Sequence, residues 1–90
     1  MVILDTQQKG KSVVDENIYI SYNIRSNGEG ERQEIHGVVF KDESSIGFVS
    51  YDYRRSGVQF SLNPENGLGN GETRQVFDVF MEDIEELNSA

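Results

Sequence analysis

Ninety residues carry 16 Asp and Glu against 8 Lys and Arg, giving a formal charge of -8 and a sequence pI near 4.4. A chain of this length buries only about 60 to 65% of the surface its unfolded form exposes, which limits it to one sheet covered by one helix and excludes a deep multi-walled active site. The absence of cysteine removes a disulfide framework, a thiol nucleophile and a thiolate metal site, while nine aromatics are too many for a disordered acidic tail.

Met1 to Leu4 is a short apolar run followed by polar residues, with no basic segment leading into a long apolar stretch. This reads as a soluble cytoplasmic protein with neither a secretory signal nor a membrane span. Residues 1–16 are expected to be either loosely ordered or the source of an edge strand, from Met1 to Leu4 or from Ser12 to Val14. Ile18, Ile20, Tyr22 and Ile24 then alternate with Tyr19, Ser21, Asn23 and Arg25, the period of a strand with one buried face. Asn27-Gly28 within Ser26 to Glu31 suits a hairpin turn. Glu34 to Lys41 is β-branched and aromatic with blurred alternation, which predicts a strand covered on both faces or bulged near Gly37.

Asp42 to Ser45 make the next loop. In Ile46 to Tyr53 the apolar parity changes between Ile46 and Phe48 on one side and Val49, Tyr51 and Tyr53 on the other, predicting a bulge or heavy burial. Arg54 to Gly57 form a polar break before Val58, Phe60 and Leu62 resume the alternation. Asn63 to Gly71 holds the only proline and three glycines and predicts an exposed connection.

Beyond Gly71 the period becomes helical. Val76, Phe77, Phe80, Met81, Ile84 and Leu87 share an arc of about 140°, and Asp78, Glu82, Glu85 and Glu86 lie opposite. Asn70 is the expected N-cap, with Glu72 favourably placed in the first turn. Asp83 intrudes at the margin of the apolar arc, and the acids near the C-terminal end oppose the helix dipole. The whole chain, residues 1–90, is thus expected to be one α+β domain: a four- to five-stranded antiparallel meander with one C-terminal amphipathic helix packed on one face.

The sequence carries no recognisable catalytic residue, metal site or cofactor site. Gly67, Gly69 and Gly71 precede a helix, but they lack the spacing of a dinucleotide loop and the lysine of a P-loop, and Glu65 and Glu72 would repel a phosphate. The carboxylate pairs Asp15-Glu16 and Asp42-Glu43 do not follow calcium-loop spacing. His36 is the only histidine, no serine stands in a nucleophile elbow, and His36 reads as an ordinary strand residue.

Two surfaces remain as candidates. Residues 72–90 contain six acids and one base, so the helix face of Asp78, Glu82, Glu85 and Glu86 would suit a protein partner with a basic surface. The expected function is therefore a small, non-enzymatic inhibitory or regulatory binding module. The alternative ligand face gathers Tyr51, Tyr53, Arg54 and Arg55 with Tyr19, Asn23 and Arg25, because rings and guanidinium groups on an open sheet can stack on unpaired bases. The strand-strand-strand-strand-helix order is similar in topology to the PUR repeat family. That resemblance implies single-stranded nucleic acid as the second-ranked ligand, although no segment is a basic footprint. An uncovered sheet face or edge strand in so small a domain would also favour a homodimer.

Overall fold

The computed structural model describes residues 2–5, 9–26, 32–63, 65 and 67–88. Among these residues six strands form one antiparallel sheet in chain order: β1 (Val2–Asp5), β2 (Lys9–Asp15), β3 (Ile18–Ser26), β4 (Arg32–Lys41), β5 (Ser44–Asp52) and β6 (Gly57–Leu62). Helix α1 (Asn70–Asn88) follows and covers one face. The antiparallel meander with one C-terminal helix is as expected. Both N-terminal segments pair, so β1 and β2 together extend the four later strands. Of the turn expected over Ser26 to Glu31, Ser26 belongs to β3 and residues 27–31 lie outside the described residues; the flanking strands pair antiparallel from Ile18 opposite Lys41 to Ser26 opposite Arg32.

The period-two pattern of β3 sets the layers. Ile18, Ile20, Tyr22 and Ile24 are buried beneath α1, joined by Ile35, Val39, Ile46 and Val49 from β4 and β5. From the helix, Val76, Phe80, Ile84 and Leu87 complete this core at spacings of three and four residues. Phe77, on the apolar arc, remains 39% exposed and packs edge-on against Phe60, with ring centroids 5.2 Å apart.

The blurred alternation of β4 has a different cause from the bulge expected near Gly37. Its alternation is regular, with Ile35, Gly37 and Val39 buried and His36, Val38 and Phe40 toward the uncovered face. Gly37 occupies a core position because a Cβ there would lie 2.8 Å from both Ile20 Cγ2 and Val49 Cγ2. The register shift falls farther along, where Val39 faces Gly47 and Phe40 faces Ser45. Ile46 is the extra residue, and its insertion produces the parity change of β5.

The helix start also differs from expectation. Gly69, rather than Asn70, is the cap: its carbonyl accepts from Thr73 N at 3.0 Å, while Glu72 Oε1 accepts from Gly69 N at 3.1 Å. Glu72 therefore supplies the reciprocal half of a capping box. At the other end no basic residue occupies the last turn of α1. The guanidinium of Arg32 on β4 donates instead to the Leu87 carbonyl, bringing a cation to the negative end of the dipole.

Candidate functional site

Packing divides the surface into an acidic outer side of α1 and an uncovered sheet face. On the helix, Asp78, Glu82, Glu85 and Glu86 are all exposed. Their spacing places them in a strip about 12 Å long at 1.5 Å per residue. Arg74 approaches Asp78 at 4.0 Å, with both side chains mainly in solvent, so the pair is weak. Asp83 is not part of this strip. It is 4% exposed, and its Oδ2 accepts from Ser12 Oγ at 2.7 Å and from Tyr22 Oη at 2.6 Å. Burial, and then the hydrogen bond and charge of Asp83, push the Tyr22 phenol well above its ordinary pKa.

The proposed aromatic and arginine grouping is separated by the fold. Tyr51 pairs with Ile35 on the helix-covered side, and Tyr51 and Tyr53 pack against the core with an edge-on ring contact of 4.9 Å. They cannot serve the uncovered face because β5 returns to regular alternation after Ile46. Tyr53 Oη is buried without a hydrogen-bond partner among the described residues, and burial raises its pKa despite the opposing influence of Arg32.

Arg54 and Arg55 lie in the exposed β5–β6 turn. Arg54 N donates to Asp52 Oδ1 at 2.9 Å, and this bond chiefly lowers the Asp52 pKa. Arg55 borders a shallow depression of about 350 Å³ with Glu34, Ser50, Asp52 and Gln59. Its two carboxylates beside one guanidinium do not make an anion site.

Tyr19 and Arg25 do occupy the uncovered face. Arg25 is engaged by Glu34 at 3.3 Å. Tyr19 stacks on Phe40 with a centroid separation of 5.0 Å, and the Lys11 ammonium lies 4.3 Å from the Tyr19 ring centroid. Beside them His36 stacks on Phe48 at 5.8 Å. Strand register places Lys9 in the same row as Asn23, His36 and Ser50. Sequence reasoning missed Lys9, Lys11, Phe40 and Phe48 as members of this face. The available signal was the phase of β3: every residue opposite Tyr19, Ser21 or Asn23 must share their side.

No family model, curated protein or solved structure matches the chain. Among the described residues, no helix is long and apolar enough to cross a membrane.

Proposed function

We propose that the protein is a small acidic binding module, non-enzymatic and inhibitory or regulatory, that docks on a basic protein surface through Asp78, Glu82, Glu85 and Glu86. The observation carrying this reading is the exposed carboxylate strip on α1. Asp78 and Glu82, and Glu82 and Glu86, are like charges at i,i+4, an arrangement that weakens an isolated helix. The core is made by the opposite side of α1, so the strip packs none of its buried residues. A basic partner would relieve this repulsion and be steered toward it.

The test is recovery of partners by the protein and by a variant with all four acids changed to Lys, after circular dichroism establishes that both are folded. Partners of the original should be lost from the variant and weakened by salt. Identical recovery would reject the helix face as the docking site.

A second reading is supported by the Tyr19–Phe40 stack beneath Lys11: the uncovered face binds single-stranded nucleic acid. Labelled single-stranded DNA and RNA should then bind at low salt, with at least tenfold weaker binding by a Tyr19→Ala, Lys11→Ala variant. No binding at low salt would eliminate this reading.

A further inference from the structure

The two sheet edges have opposite character. β1 is four residues long and has a register irregularity between Ile3 and Asp5, features that discourage pairing with another chain. β6 has six residues, Gly57 to Leu62, with no charge, proline or bulge. Among the described residues its only sheet neighbour is β5. Asn63 N donates to Ile46 O at 2.7 Å, so the antiparallel alternation directs Asn63, Ser61 and Gln59 toward β5. The backbone N–H and C=O groups of Val58, Phe60 and Leu62 consequently point outward along the free edge.

Those three side chains share the helix-covered side of the sheet, as their register partners Tyr51, Val49 and Gly47 show. Val58 is 42% exposed and Phe77, against Phe60, is 39% exposed. An apolar ledge therefore borders the outward-facing backbone groups.

We propose that β6 is a self-association edge, pairing antiparallel with β6 of a second copy about a two-fold axis at Phe60. Keeping both helices on the same side of the joined sheet requires facing residues to have the same parity. The available outward groups then select Phe60 opposite its own counterpart and Val58 opposite Leu62. This register uses the outward backbone groups of all three residues and brings the apolar side chains of the two edges, Val58 and the Phe60–Phe77 pair, together. A second copy fits because the uncharged edge lets two chains of formal charge -8 meet without opposing like charges across the ladder. The pairing is isologous and closes as a dimer, while β1 stays unpaired with other chains. It also leaves the carboxylate strip exposed on each copy.

Sedimentation equilibrium and light scattering should give twice the 10.2 kDa chain mass, with the dimer fraction rising as salt screens the net charge. The acidic-strip interaction would instead weaken with salt, so failure of either proposal is distinguishable. Val58→Pro removes an outward N–H without breaking the β5–β6 ladder and should weaken dimerisation at least tenfold while retaining the circular-dichroism spectrum.

A Gln59→Cys, Ser61→Cys variant gives a second test independent of that substitution's stability. These positions become non-hydrogen-bonded partners across the interface, with Cα atoms about 4.5 Å apart, within disulfide reach. Mild oxidation should crosslink the variant at least tenfold faster than Val13→Cys, whose thiol would sit at an exposed β2 position. A monomeric parent protein, or a dimer unaffected by Val58→Pro and lacking preferential crosslinking, would overturn the proposal.

Discussion

The Tyr22 hydroxyl donates to Asp83 Oδ2 over 2.6 Å, tying the centre of β3 to the buried side of α1. Ser12 reaches the same oxygen from β2 at 2.7 Å. One helical carboxylate thus links two strands, and an error in the helix's rotation would separate these groups. Asp83 fixes how α1 sits on the sheet as well as contributing to stability.

Asp83→Ala should destabilise the fold by about 2–4 kcal/mol because it removes the acceptor from two buried hydroxyls. Tyr22→Phe should cost about 1–2 kcal/mol. Urea denaturation of both single variants and the double variant should give a coupling energy of about 1 kcal/mol or more. Additive effects would show that the pair does not act as a unit.

Tyr22 also predicts an alkaline limit to stability. Its folded pKa lies above its ordinary value of 10.0, so its stabilising contribution is fully present below that pH and is lost as pH rises toward the folded pKa. Between these pKa values the unfolded chain releases a proton that the folded chain retains. Stability should therefore fall by about 1.4 kcal/mol per pH unit from this residue. Tyr22→Phe should remove one proton's share of the slope in denaturation curves collected across this range. An unchanged slope would contradict the linkage.

Two strand glycines should resist substitution for different reasons. Gly37→Ala drives a methyl against Ile20 and Val49 side chains and should cost about 1–3 kcal/mol. Gly47→Ala directs its methyl into the Ser61 carbonyl and the Leu62 backbone, which cannot yield without separating β5 from β6. Thermal denaturation should rank Gly47→Ala as the more damaging change. The reverse order would show that the bulge accommodates the methyl.

The β4–β5 turn offers a stabilising substitution. Asp42 and Glu43 have φ angles of 50° and 66°, the left-handed pair required by a type I′ hairpin turn. Asp tolerates this conformation better than Glu, and Asp42 is also held by Asn17 Nδ2 at 2.9 Å. Glu43→Gly should raise stability by about 0.5–1 kcal/mol, measured as a higher midpoint in urea. A lower midpoint would show that flexibility gained by the unfolded chain outweighs the relieved strain.

The sequence by itself determined the meander, the final helix and the exposed acidic strip, because periods of 2 and 3.6 fix which side chains share a face within one element. The parity change within Ile46 to Tyr53 signalled either a bulge or heavy burial, and the register of β4 with β5 decided for the bulge at Ile46. Relations between elements required tertiary structure. Only cross-strand register could assign Tyr19, Phe40, His36 and Phe48 to one face while turning Tyr51 and Tyr53 to the other. Only packing could convert Asp83 from an apparent flaw in the apolar arc into the acceptor for Ser12 and Tyr22. Charge gives the same contrast: the sequence located the acids of α1, but the fold removed Asp83 from the surface and brought Arg32 to the Leu87 carbonyl. Local periodicity orients a side chain on its own element; chain pairing and close packing determine what it meets.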